Sequence, residues 1–275
     1  MKISIVGCGW LGLPLASHFI SNGHIVSGTT RSTEKSSALR RANITAYQFT
    51  LGDDLSDKTL DSLFCVDALV LNLPPGRRTM DEQWFTEHMQ QFIDISHERG
   101  CKNLLFVSTT SVYGSAEGKV NEHSAVSPDT ASGRAHVALE KHLFEVFAEH
   151  GAVIRLAGLV NETRHPVKFL SGRVDIPNPN QCVNLVHQHD VIAAIDAIIT
   201  ANKFGKTYVL CSHEHPSRKD YYTWAATQLG LPRPAFTDEQ SSDVTGKLVD
   251  AGESLRTLEL ELNYPSPYDM ISRPD

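Results

Sequence analysis

Short apolar runs alternate along this chain with longer stretches whose apolar residues recur at helical spacing. Ile3–Val6, His24–Ser27, Ala68–Leu71, Leu104–Val107 and Val153–Leu156 are brief and rich in Val, Ile, Leu and Phe. Runs that are apolar on both faces suit strands buried inside a parallel sheet. Between the first two, Leu11, Leu15, Phe19 and Ile20 mark one face of a helix, and Gly23 is placed to end it in a left-handed cap. Pro14 is tolerable in that helix because it falls in the first turn. The stretch from Asp81 to Gly100 repeats the pattern through Trp84, Phe85, Met89, Phe92 and Ile93, again closed by glycine. The order strand, helix, strand, helix predicts an α/β fold, a doubly wound parallel sheet with helices on both faces.

From Asn161 the pattern loosens, with Pro166, Pro177 and Pro179 close together. Regularity resumes with a strand at Asn184–Val186, a helix from Val191 to about Ala201 and a strand at Thr207–Cys211. Asp190 stands just ahead of that helix, where it can cap the free N–H groups. A further helical piece surrounds Tyr221–Leu229. The organisation expected is a doubly wound domain over 1–160, to which 183–212 returns. A small, discontinuous C-terminal substrate lobe would occupy 161–275.

At 275 residues with 41% hydrophobic positions, the chain can build a full core without disulfide staples. Lys and Arg total 25 against 32 Asp and Glu, a formal net charge of −7, which argues against a nucleic-acid partner. Cys8, Cys65, Cys101, Cys182 and Cys211 are scattered and never form C-x-x-C, so neither a disulfide framework nor a zinc site is read from them. Ile3–Val6 is too short for a signal-peptide core or a membrane span. The expectation is a cytoplasmic monomer or homodimer with no membrane partner.

Gly7-Cys8-Gly9-Trp10-Leu11-Gly12 fits G-x-G-x-x-G, directly after a strand and opening a helix, the context a Rossmann-type dinucleotide fingerprint requires. Gly7 would make the tight turn, Gly9 would let backbone approach the pyrophosphate, and Gly12 would allow close helix–strand packing. Trp10 and Leu11 complete the turn, and the pyrophosphate would rest on the helix N-terminus. A carboxylate about 20 residues on normally holds the ribose hydroxyls of NAD. Here that place carries Thr30-Arg31-Ser32, with no carboxylate before Glu34. A guanidinium flanked by hydroxyls binds a 2′-phosphate, so NADP(H) is expected, with NAD(H) as the less favoured cofactor.

With later motifs the chain resembles the extended short-chain dehydrogenase/reductases, the NAD(P)-dependent sugar epimerase/dehydratase family. Phe106 to Gly114 (FVSTTSVYG) looks like that family's catalytic Ser/Thr strand end. Arg155 to Val160 (RLAGLV) resembles the strand entering the substrate lobe, and Asn184 to Val191 (NLVHQHDV) its later helix entry. More narrowly, the chain looks like an atypical branch of small bacterial epimerase-like proteins. The resemblance implies that Asp54-Leu55 sits beside the adenine, that Leu73-Pro74-Pro75 lines the cofactor, and that Thr109 orients the substrate oxygen. The family's Tyr-x-x-x-Lys pair is replaced: Ser132 stands at the Tyr and His136 at the Lys that holds the nicotinamide ribose. A serine hydroxyl is too weak an acid to act unaided and needs a base, which His136 could supply from the same helix face. The implied activity is an oxidoreductase or epimerase on a small substrate, nucleotide-linked ones included. The alternative is a non-catalytic NADP(H) sensor of the same fold, in which Ser132 and His136 only keep the shape.

Two further constellations invite a metal and are not assigned one. His187, His189 and Asp190 are better read as a strand end and helix cap, with no third ligand at metal spacing after them, and His213-Glu214-His215 sits at the strand-to-lobe junction, where it could face the crevice. Arg77-Arg78 follows the run Ala68–Leu71 and could meet an anionic substrate group, although a solvated loop charge is the commoner outcome.

Overall fold

The apolar runs become strands of one central sheet in the computed structural model, which describes residues 1–75, 81–237 and 243–271. The chain forms two units. The first comprises Met1–Gly114, Pro128–Arg155 and Ile195–Tyr208, the second Ser115–Ser127, Leu156–Ala194 and Val209–Asp275. In chain order the strands are β1 (Lys2–Val6), β2 (Ile25–Thr30), β3 (Thr45–Gln48), β4 (Ala68–Leu71), β5 (Leu104–Thr109) and β6 (Gly118–Val120). They continue with β7 (Gly151–Leu156), β8 (Gly158–Val160), β9 (Leu185–His187), β10 (Lys206–Leu210) and β11 (Lys247–Val249). The helices are α1 (Gly12–Ser21), α2 (Thr33–Arg41), α3 (Asp61–Phe64), α4 (Glu82–Glu98) and α5 (Ala131–Phe147). After them come α6 (Val167–Leu170), α7 (Gln188–Thr200), α8 (Arg218–Gln228) and α9 (Gly252–Leu258).

The seven-stranded sheet runs β10-β7-β5-β4-β1-β2-β3, and the pairs β4–β5, β1–β4, β1–β2 and β2–β3 are parallel. The winding reverses between β1 and β4, the switch point where such sheets take their ligands. All four residues of β4 are buried, as are Ile3 to Val6 of β1, which is why these strands read as unbroken apolar runs. Ser4 is the polar exception in β1. Its Oγ donates to the Leu63 carbonyl at 2.7 Å and bonds Ser27 Oγ at 3.0 Å, so no buried hydroxyl is left wanting. Gly23 ends α1 at φ +81°, as its position predicts.

In the second unit β6 pairs with β11 and β8 with β9, each pair parallel. After β9, which pairs with β8 in the second unit, the chain returns to the first unit over Ile195–Tyr208, within the 183–212 expected. Asp190 also departs from expectation. It lies inside the first turn of α7, and its carboxylate accepts from the Asn263 N–H at 2.8 Å and the Tyr264 N–H at 3.2 Å. The helix starts earlier because the His187 ring caps it, Nδ1 accepting the His189 N–H at 3.2 Å. No helix among the described residues is long and apolar enough to cross a membrane.

The core of this unit joins Tyr221, Tyr222 and Ala225 of α8 to Val160, Leu185 and Met270. His165 is buried against it with every ring nitrogen satisfied. Its Nδ1 accepts from the Val167 N–H at 3.2 Å, its Nε2–H meets Tyr221 Oη at 2.8 Å, and that hydroxyl donates to the Pro267 carbonyl at 3.0 Å. This is a neutral imidazole, and burial pushes its pKa down to about 4. The unfolded chain, with an imidazole near ~6.5, then binds the extra proton first, so stability falls as pH drops from about 6.5 towards 4. We expect about 2–3 kcal/mol to be lost over that window, and His165→Gln to flatten it in chemical denaturation curves collected against pH. An unchanged pH slope in that variant would remove His165 from the account.

Candidate active site at the dinucleotide turn

The three fingerprint glycines separate by what a side chain would meet. At Gly7, with φ +102°, a Cβ would lie 2.4 Å from the Asn72 carbonyl oxygen. At Gly12 it would lie 2.2 Å from the Gly7 carbonyl oxygen. Both glycines are needed by the protein itself. At Gly9 a Cβ would meet nothing within 4 Å and φ is unremarkable, so the fold alone does not demand glycine there. The open space lies at the start of α1, where Leu11 is the N-cap and supplies no side-chain acceptor, and the first turn carries no acidic residue. An anion-seeking helix end beside exposed, open space at Gly9 leaves room for a pyrophosphate to approach the backbone. The residues present therefore fit a dinucleotide. Leu11 is buried and can offer only its backbone, while Trp10 is half-buried in the turn. Burial pushes the Cys8 thiol up to about 12, so it supplies no thiolate.

Two residues that motif reasoning passed over hold this turn. Thr29 Oγ1 accepts the Gly7 N–H at 2.9 Å and its carbonyl accepts the Cys8 N–H at 2.9 Å. Asn72, directly after β4, donates its side-chain amide to the Gly7 carbonyl at 3.3 Å. Thr29 could have been found from the sequence as a hydroxyl residue in the buried strand β2, as could Asn72 at the end of β4. Leu73 packs close to Gly7, so this part of Leu73-Pro74-Pro75 is brought to the fingerprint.

Arg31 is exposed immediately beyond β2, with no carboxylate partner for its guanidinium among the described residues, and Ser32 beside it caps α2 by accepting the Lys35 N–H at 3.2 Å. Thr30 is buried, its carbonyl taken by the Phe49 N–H. Of the three, Arg31 and Ser32 remain accessible to a phosphate. The expected adenine neighbours are more occupied. Asp54 accepts from the Ser56 N–H at 2.8 Å and its hydroxyl at 2.9 Å, which hold its carboxyl below the usual range. The Leu55 side chain is in the core and its carbonyl accepts from Arg99. The loop meets the start of α4 instead at Gly52, where a Cβ would lie 2.8 Å from the Trp84 indole.

At the end of β5, Thr109 Oγ1 accepts the Ser111 N–H at 3.1 Å and bonds Ser111 Oγ at 3.0 Å, capping the turn Thr110–Tyr113. Gly133 of α5 presses on that turn: a Cβ there would lie 2.9 Å from the Ser111 carbonyl oxygen. Ser132 and His136 are one helical turn apart, as expected. The imidazole does not meet the serine hydroxyl, however. Its Nδ1–H donates to the Ser132 backbone carbonyl at 2.7 Å, and the ring stacks on Phe106 with centroids 5.5 Å apart. Burial lowers the His136 pKa, so the neutral form prevails at pH 7 with its lone pair on Nε2.

Beneath this end of β5 lies a polar cluster that sequence reasoning did not find. Glu140 of α5 and Arg155 of β7 are both buried and joined by three hydrogen bonds: Arg155 Nε donates to both Glu140 carboxylate oxygens at 3.1 Å, and Nη2 donates to Oε2 at 2.6 Å. Ser108 Oγ donates to Glu140 Oε1 at 2.5 Å, and Arg155 Nη1 donates to Tyr113 Oη at 3.0 Å. A Glu and an Arg on different elements, 15 residues apart, carry no signal of pairing.

Among the described residues no group of three or more His, Cys, Asp or Glu is placed to share a metal ion. His187 Nδ1 is spent on its helix cap and Nε2 lies 3.4 Å from Glu162 Oε1. Arg77 and Arg78 lie outside the described residues.

The sequence pattern of the NAD dependent epimerase/dehydratase family matches residues 3–211. Protein YeeZ of Escherichia coli strain K12 is 36% identical over 271 residues, covering 98% of both chains. Among solved structures, a conserved protein of unknown function from Silicibacter pomeroyi superposes with a TM-score of 0.77 at 23% identity, over 96% of this chain and 94% of that one. A UDP-glucuronic acid 4-epimerase from Bacillus cereus in complex with NAD gives 0.79 at 17% identity, over 98% and 94%. Those two likenesses speak for the fold alone. A match across most of the chain, together with a full-length relative, shows that this protein belongs to the NAD dependent epimerase/dehydratase family.

Proposed function

We propose that the chain binds NADP(H) across Gly7–Gly12 and Arg31. It acts as an oxidoreductase or epimerase on a small substrate, nucleotide-linked ones included, with Thr109, Ser132 and His136 at the reacting end. The observation that carries the binding half is the vacant Cβ position at Gly9 beside an uncapped helix N-terminus. The nicotinamide, when bound, supplies a hydride acceptor or donor. Thr109 accepts the Ser111 N–H and shares a bond with Ser111 Oγ in which either hydroxyl can donate, so with Ser111 donating its own proton is free to hold a substrate oxygen. Neutral His136 offers the Nε2 lone pair to a proton or to a ribose hydroxyl. It brings no fixed positive charge, unlike the lysine it replaces. The five free cysteines support a reducing, cytoplasmic setting.

Titrating NADPH and NADH by fluorescence, then following nicotinamide absorbance over a substrate panel, tests both halves. Failure to bind either cofactor would overturn the proposal. Tight binding without any turnover would favour the second reading, a non-catalytic NADP(H) sensor, for which the burial of His136 against Phe106 speaks. For cofactor choice, Arg31→Ala is expected to weaken NADPH by ~1.5–3 kcal/mol, the range for a hydrogen bond to a charged group. NADH affinity should barely move. Equal losses for the two would remove the preference for NADP(H).

A further inference from the structure

We propose that Glu140 and Arg155 are positioning residues for the nicotinamide end of the site, an inference that rests on the dinucleotide reading above. A buried ion pair is costly to desolvate, and an apolar pair of similar volume is often as stable or more so. Stability is therefore a weak reason for placing this one between α5 and β7. Its other partners supply a better reason. Glu140 holds the hydroxyl of Ser108, the residue before Thr109, and Arg155 holds the hydroxyl of Tyr113, which closes the turn that Thr109 caps. The same turn is held from α5 a second time by the close approach of Gly133 to the Ser111 carbonyl. His136 lies between Gly133 and Glu140 on α5, and its ring rests on Phe106 of β5. Thr109 and His136 are thus fixed relative to each other by bonds made on either side of them. None of these bonds reaches the pyrophosphate turn or Arg31.

That separation gives the test. The reduced cofactor the protein prefers would be titrated beside its adenylate half alone, 2′,5′-ADP for NADPH or ADP for NADH, against wild type and Glu140→Leu/Arg155→Met. The double variant replaces the pair by apolar side chains and should keep its melting temperature. It should bind the full cofactor about tenfold more weakly, near 1.4 kcal/mol. It should bind the adenylate half as wild type does, and lose the emission change of the bound nicotinamide. Should the double variant not fold, Ser108→Ala/Tyr113→Phe removes only the two tethered hydroxyls and should show the same split. Wild-type affinity for the full cofactor in a folded variant overturns the proposal. Parallel losses for both ligands overturn it too, since that is the mark of a merely structural pair. A wild-type protein that binds neither ligand overturns the dinucleotide reading itself.

Discussion

Gly9→Val is expected to fold normally and to lose its cofactor. The valine Cβ meets no protein atom within 4 Å, so the branched side chain enters space that the chain does not use. A pyrophosphate resting on α1 would have to use that space. Displacing it forfeits hydrogen bonds from backbone N–H groups to charged oxygens, each worth ~1.5–3 kcal/mol, so at least a roughly hundredfold loss of affinity follows. Gly7→Ala and Gly12→Ala should behave in the opposite way. Their side chains would strike backbone carbonyl oxygens at 2.4 and 2.2 Å, and Gly7 also has φ +102°. These variants should melt earlier or fail to accumulate, whatever the cofactor concentration. Melting curves and cofactor titrations of the three variants decide the matter. A folded Gly9→Val protein with unchanged NADPH and NADH affinity would exclude the turn as the pyrophosphate site.

His136→Ala is expected to lower turnover on any accepted substrate by ~10²–10⁴-fold, the usual loss with a general acid or base. The neutral imidazole is the form that takes a proton, so the oxidative rate should rise with pH through the His136 ionisation. Burial lowers that ionisation from the ordinary value near ~6.5, so the profile should already be level at neutral pH. The reductive direction needs a protonated donor and should fall across the same range. His136→Ala should abolish the titration as well as the rate. A pH response that is the same in wild type and variant would leave His136 with a packing role against Phe106.

The glycine pattern and the buried strands were legible because each follows from local chemistry. A strand covered on both faces, such as Ala68–Leu71, can only be apolar, and a turn that meets a pyrophosphate needs backbone without side chains. By the same logic β3 and α2 escaped notice. Thr45–Gln48 is an edge strand with only Ala46 buried, and Thr33–Arg41 buries only Ser36 and Leu39, so neither prints a strong period. The cap of α7 was misread for a related reason. Asp is the commoner cap, but here a histidine nitrogen took that place and Asp190 went to the backbone of Asn263 and Tyr264.

At the site, the order of elements and the fingerprint are what the sequence alone supplies for the proposed dinucleotide position, since both are local patterns that each segment carries by itself. Only the tertiary structure decided which groups are free to act there. It took Thr30 and Leu55 into the interior and turned the His136 proton onto the Ser132 carbonyl. It also joined Ser108, Tyr113, Glu140 and Arg155, which lie on different elements, into one buried cluster. Pairing of that kind depends on which strands and helices become neighbours in space. A single buried charge must find its partner wherever the sheet brings one, and sequence separation says nothing about where that is.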